Sequence, residues 1–89
     1  MNNLKNMTQS ERVMWYIKKY GSITWLEAHR DLGIARLSAV IYNLKYLDGE
    51  PISSITEKGK NRWEEDTHYS RYYLKGSKFE NKLKKEGKI

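Results

Sequence analysis

Thr24-Trp25-Leu26-Glu27-Ala28-His29-Arg30-Asp31-Leu32-Gly33-Ile34-Ala35-Arg36-Leu37-Ser38-Ala39-Val40-Ile41-Tyr42-Asn43-Leu44-Lys45-Tyr46-Leu47 holds two helical patterns separated by a very short turn. Thr24 and Glu27 have the spacing of a capping box, in which hydroxyl and carboxylate satisfy the first free amides of a helix. The spacing predicts a short helix from about Trp25 to Leu32, burying Leu26, Ala28 or His29, and Leu32, and ending at Gly33. Gly33-Ile34-Ala35 is then the turn. From Arg36 to Asp48 the apolar residues Leu37, Val40, Ile41, Leu44 and Leu47 recur at steps of three and four. This is the clearest amphipathic helix of the chain, with Ser38, Ala39, Tyr42, Lys45 and Tyr46 on the opposite face.

Working outward toward the N-terminus, Thr8-Gln9-Ser10-Glu11 repeats the capping-box spacing. Val13, Met14, Ile17 and Tyr20 follow as one apolar face, and Gly21 supplies a residue tolerant of the left-handed conformation that ends helices. Ser22-Ile23-Thr24 is too short to stand as an independent strand, but its Ile fits the edge of a small sheet. Toward the C-terminus, Asp48-Gly49 ends the amphipathic helix and Pro51 forbids its continuation. The period then changes. Ile52–Glu57 and Thr67–Leu74 are rich in β-branched and aromatic residues and read as strands. Lys58-Gly59-Lys60-Asn61-Arg62 reads as a basic hairpin tip, followed by an acidic return, Glu64-Glu65-Asp66. In the last segment, Phe79 and Leu83 are placed to form one side of a marginal helix. Trp15, Trp25 and Trp63 are expected to pack, with Trp63 the most exposed of the three.

Three ordered pieces follow: residues 1–7 as a flexible arm, 8–75 as one folded domain, and 76–89 as a basic tail carrying Lys78, Lys82, Lys84, Lys85 and Lys88. Eighty-nine residues suffice for one modest core and not for two domains. The order helix, short strand, helix, tight turn, helix, hairpin defines the expected fold class: α+β, a winged helix-turn-helix with three helices plus a C-terminal β-hairpin wing. In that motif the third helix buries one face on its neighbours and presents small or polar residues at its start to the major groove of DNA.

The stretches Thr8–Val13, Gly21–Ala28 and Leu32–Leu44 resemble a family of winged helix-turn-helix domains from phages and prophages. The likeness extends through Pro51-Ile52 and Tyr69–Leu74, although Trp25 stands where that family commonly has Pro. What the resemblance implies is a winged-helix fold and a DNA-binding role, in phage transcriptional regulation or as an excisionase-like architectural factor.

The charge is consistent with a polyanionic partner: 17 Lys and Arg against 11 Asp and Glu give a formal +6 and a sequence pI near 9.6. Candidate DNA-binding residues are Arg36, Ser38, Ala39, Tyr42, Asn43 and Lys45 on the third helix. Lys58, Lys60 and Arg62 are candidates on the wing. The expected partner is double-stranded DNA. Tyr42, Tyr46, Trp63 and the acidic return also suit a protein-binding module that inhibits or redirects a host complex. A homodimer is a further candidate, because one small module reads few base pairs.

Enzymatic activity is not expected, since no nucleophile and base arrangement is recognisable. Without Cys, and with His29 and His68 isolated from other ligand types, no metal site or cofactor is expected. The opening residues lack the apolar run of a signal peptide, and no stretch approaches the ~18 apolar residues of a membrane span. A location in the host cytoplasm is therefore expected.

Overall fold

The computed structural model describes residues 6–89, so most of the expected N-terminal arm lies outside the described residues. In chain order the elements are α1 (Gln9–Tyr20), β1 (Ser22–Thr24), α2 (Trp25–Leu32), α3 (Leu37–Tyr46), β2 (Ile52–Lys60), β3 (Asp66–Leu74) and α4 (Lys78–Lys85). The architecture is α+β, with three helices, a β-hairpin wing and one further C-terminal helix.

Both capping boxes form. The Thr8 hydroxyl accepts from the Glu11 amide at 3.1 Å, and the Glu11 carboxylate accepts from the Thr8 amide at 2.9 Å. Thr24 and Glu27 repeat the exchange at 3.3 and 3.0 Å. Gly21 and Gly33 end the two helices with φ of 95° and 68°, conformations in which a Cβ would be strained. Arg36 precedes α3 as its N-cap but contributes no side-chain cap, so the position of this helix rests on its buried face.

The core gathers Val13, Tyr16 and Ile17 of α1, Ile23, Ala28 and Leu32, Ile34 from the turn, and Leu37, Val40, Ile41 and Leu44 of α3, closed by Ile52. Four expectations about burial are corrected. Leu26 is exposed because Ala28 and Leu32, four residues apart, set the inward face, and position 26 lies about 200° around the helix from position 28. Leu47 is 74% exposed because the helix ends at Tyr46, leaving its side chain beyond the rim of the core. Tyr20 is exposed, and Tyr16 is buried in its place, its hydroxyl donating to Asp31 at 2.6 Å. Trp25, expected to pack, is 56% exposed in the first turn of α2.

The sheet is antiparallel in the order β1-β3-β2. Its register assigns side chains to faces, because directly opposed residues project to the same side. Ile52 opposes Leu74, Ser54 opposes Tyr72, Thr56 opposes Ser70, Lys58 opposes His68, and Lys60 opposes Asp66. Ile23 opposes Tyr72, so this is the face that closes the core beneath α1–α3. The other face carries Tyr73, Arg71 and Tyr69 of β3, and α4 covers its base. Phe79 packs on Tyr73, ring centroids 5.6 Å apart, and Leu83 is buried. The marginal helix expected over the last segment is thus a docked helix.

The hairpin is longer than its sequence pattern suggested. Lys58, Gly59 and Lys60 belong to β2, and the turn falls at residues 61–65. Two local devices account for this. The Asn61 side-chain oxygen accepts from the Trp63 and Glu65 amides at 2.9 and 3.0 Å, organising the turn without Gly. Lys60 pairs across the strands with Asp66 at 2.9 Å, so the second lysine and the last acidic residue of the supposed loop close the ladder instead.

Candidate nucleic-acid interface

The buried residues of α3 define its outward face by subtraction. Leu37, Val40, Ile41 and Leu44 point inward, and Ser38, Ala39, Tyr42, Asn43, Lys45 and Tyr46 are exposed. Ala39, Tyr42 and Tyr46 run up the middle of that face at steps of three and four. Ser38 and Lys45 flank them on one side and Asn43 on the other. Tyr42 and Tyr46 lean together with ring centroids 4.8 Å apart, and the Lys45 ammonium lies 5.4 Å from the Tyr46 ring. Small residues therefore occupy the first turn and aromatic ones the last.

All nine residues singled out from the sequence are exposed: Arg36, Ser38, Ala39, Tyr42, Asn43 and Lys45 on α3 and its cap, and Lys58, Lys60 and Arg62 on the wing. They fall into two groups, and a cleft separates the start of α3 from the β3 strand of the wing. This cleft, of about 370 Å³, is lined by Ala35, Arg36, Leu37 and Ser38 at the start of α3, by Trp25, and by Ser70 and Tyr72 of β3. Ser70 and Tyr72 share a sheet face with Lys58 and Lys60, so the start of α3 and the wing lysines are presented on the same side of the sheet. Arg62 sits in the turn, its guanidinium 5.6 Å from the Trp63 ring. Lys60 is tied to Asp66, whereas Arg36 and Lys58 make no ion pair among the described residues.

Trp25 was not among the candidate site residues, yet it lines both this cleft and a second one. The second, about 630 Å³, lies between the first turn of α2 and the wing, bounded by Leu26, Lys60, Asn61, His68 and Tyr69 among others. A legible signal was present: the Thr24–Glu27 box fixes Trp25 as the first helical residue, one turn before Ala28 and two before Leu32, at the open end of the core face.

Arg71, also unmarked by the sequence pattern, fixes the wing relative to the helices. Its guanidinium donates to Glu57 of β2 at 2.8 Å, to the Ser22 hydroxyl at 3.0 Å and to Glu27 of α2 at 3.3 Å. Glu27 is the same carboxylate that caps the Thr24 amide. One side chain thus joins β1, β2, β3 and the start of α2. Burial works against its charge, but the bonds to Glu57 and the field of Glu27 outweigh it, and the pKa of Arg71 is raised. A similar local network holds α1 to α2. Asp31 takes two bonds from Arg30, at 2.8 and 3.0 Å, and one from Tyr16. These bonds, Arg30 first, lower the Asp31 carboxyl to about 2. Burial, then the bond to Asp31, pushes the Tyr16 phenol up to about 12.

The geometry offers a convex helix and a cationic strand face on one side of the molecule, with a shallow cleft between them. Among the described residues no helix is long and apolar enough to cross a membrane. Comparison with curated proteins and with solved structures gives no match. A family model described as a winged helix-turn-helix domain, a fold typical of non-enzymatic DNA-binding proteins, matches residues 8–76. That match covers most of the chain and every element from α1 to β3, and the chain belongs to the winged helix-turn-helix family.

Proposed function

We propose that this chain binds double-stranded DNA without catalysis, laying α3 in the major groove and the wing against the phosphate backbone. The observation that carries this reading is the shared orientation of the α3 start and the wing face bearing Lys58 and Lys60. In the proposed complex Arg36 reads a guanine edge or holds a phosphate, Ser38 and Asn43 bond to base edges, and Ala39 meets a thymine methyl. Tyr42 and Lys45 reach sugar and phosphate farther along α3, while Lys58, Lys60 and Arg62 neutralise backbone charge. The resemblance to phage domains supports a role in transcriptional regulation, or as an excisionase-like architectural factor, in the cytoplasm of a host cell.

Selection from a random duplex library at two salt concentrations tests the reading. A short enriched motif is expected, and Arg36→Ala should cost about 1–3 kcal/mol on that motif and relax preference at one position. Unchanged affinity and preference in the variant would overturn the role given to Arg36. Absence of salt-resistant enrichment in the wild type would overturn sequence-specific binding.

A second reading rests on the end of α3. Tyr42 and Tyr46 are 60% and 65% exposed, with Leu47 beyond them, an apolar cluster that suits a protein surface better than phosphate. In that reading the chain binds a host protein or a second copy of itself through this cluster. Capture of one defined partner that survives nuclease and high salt, and is lost in Tyr42→Ala/Tyr46→Ala, supports it. Size-exclusion mass measurement separates self-association from a foreign partner.

A further inference from the structure

The C-terminal segment carries most of the chain's excess charge on the side of the sheet away from α3. Residues 75–89 hold six Lys against two Glu, +4 of the formal +6. Their helix, α4, is not a loose extension of the DNA-facing side. Phe79 packs on Tyr73 and against Gly21, and Leu83 is buried. Tyr73 projects to the sheet face opposite to Ile52, Tyr72 and Leu74, which face the core. Lys88, just past α4, lines a groove with Ile55, Glu57, Tyr69 and Arg71 of the outer face that carries Tyr73, and with Thr56 and Lys58 at the edge strand β2.

With Phe79 and Leu83 turned inward, Lys78, Asn81, Lys82 and Lys85 fall at steps of three and four along the exposed side of α4. The three lysines make no ion pair among the described residues, and the carboxylates of this segment are used elsewhere. Glu80 accepts from the Gly76 amide at 3.0 Å and lies 3.7 Å from Lys84, while Glu86 lies 3.5 Å from Lys88. The result is a cationic stripe about 10 Å long at 1.5 Å of rise per residue. Duplex DNA presents a charge for about every 1.7 Å of its axis, so its backbone complements such a stripe.

We infer that α4 is a second, sequence-independent binding site for double-stranded DNA, and that the protein bridges two duplex segments lying on opposite faces of its sheet. This rests on the reading that α3 and the wing hold the first duplex. Lys78, Lys82 and Lys85 make phosphate contacts to the second, each releasing counterions on binding. The stripe holds the backbone rather than a particular sequence, because three flexible ammonium groups dominate it and act as point charges on phosphate. Bridging therefore joins a specific site on one face to any duplex on the other.

The test uses the full chain, with one duplex immobilised on beads at low density and a second, fluorescent duplex in solution at low ionic strength. Binding to a single duplex is followed separately by fluorescence anisotropy. The wild type should retain the second duplex on the beads. Lys78→Gln/Lys82→Gln/Lys85→Gln should cut that retention at least about fivefold, since three phosphate contacts are lost. Its affinity for a single duplex should change less than about twofold, because α3 and the wing are intact. Lys84→Gln, which removes one charge already paired with Glu80, should bridge as the wild type does. Circular dichroism checks that each variant is folded. Bridging that persists in the triple variant, or single-duplex affinity that falls in step with bridging, overturns the inference. If the wild type binds no single duplex at all, the primary reading fails and the bridging function fails with it, a result distinct from the other two.

Discussion

Replacing Arg71 with Met keeps the aliphatic stem and most of the volume while removing the guanidinium that joins β1, the start of α2 and both strands of the wing. The side chain is only 20% exposed, and its partners Glu27 and Glu57 are similarly shielded. Exposed ion pairs contribute about 0–1 kcal/mol, whereas breaking a buried one costs about 3–5 kcal/mol because a charge is left unpaired. This half-buried network belongs between those limits. It has hydrogen bonds at 2.8, 3.0, 3.3 and 3.4 Å, and cutting it leaves the carboxylates of Glu27 and Glu57 without their shared cation. The expected loss for Arg71→Met is about 2–3 kcal/mol, read as the change in midpoint of urea unfolding. In a domain of this size that corresponds to a fall in Tm of about 10–20 °C. Neutralising the stranded carboxylates as well, in Arg71→Met/Glu27→Gln/Glu57→Gln, should return at least half of the loss, since repulsion and desolvation of unpaired charge are then gone. A loss below about 0.5 kcal/mol for Arg71→Met would show that the network is solvated like a surface pair and does not hold the wing.

Three other outcomes are expected. Tyr16→Phe removes the donor to Asp31 from a nearly buried ring and should cost about 1 kcal/mol. In the wild type, the Tyr16 phenol at about 12 stands above the usual tyrosine value, so its contribution is complete below pH 10 and is lost as pH rises through about 12; the Asp31 contribution, with a carboxyl at about 2, is complete above about pH 4 and is lost as pH falls through 2. Ultraviolet titration should show one late phenol that disappears in Tyr16→Phe, and its absence from the wild type would refute the assignment. Gly21→Ala places a Cβ at φ 95° and 3.4 Å from the Phe79 ring, so thermal unfolding should show a loss of about 1–2 kcal/mol, with an unchanged Tm counting against the cap. Lys58→Ala should weaken binding to every duplex alike and reduce the magnitude of the salt slope by about 1; a selective effect on one sequence would mean that Lys58 reads bases.

The sequence was most informative where structure is local. Both capping boxes, the two glycine caps and the apolar face of α3 are patterns of side chains within a few residues of one another, and each appears where its spacing predicts. Leu26, Leu47 and Trp25 failed at the next level, because periodicity describes the direction of a side chain and not how far the core extends beneath it. Tyr16 and Tyr20 illustrate a related limit. Four residues apart on one helix, they differ in burial because Asp31 of α2 waits for the hydroxyl of one of them. The hairpin turn was misplaced for a chemical reason: Lys and Asp are usual in loops, and nothing local shows that Lys60 and Asp66 lie opposite each other until the register is known.

The same distinction governs the interface. All nine candidate residues face solvent because each lies on a polar face that a single element already defines. What no single element defines is the relation between the helices and the wing, and Arg71 ties the wing strands to β1 and the start of α2 through partners 14, 44 and 49 residues away. A binding surface made from two elements works as one only if their angle is held, since phosphate contacts by the wing help position α3 only when both meet the duplex in register. The consequence is separable from stability. At a temperature where Arg71→Met is still folded, its wing should move against α3, and the affinity contributed by Lys58 and Lys60 should fall together with the sequence preference contributed by Arg36. If affinity and preference both stay at wild-type values in the folded variant, the helix and the wing bind independently, and the carboxylate clamp serves stability alone.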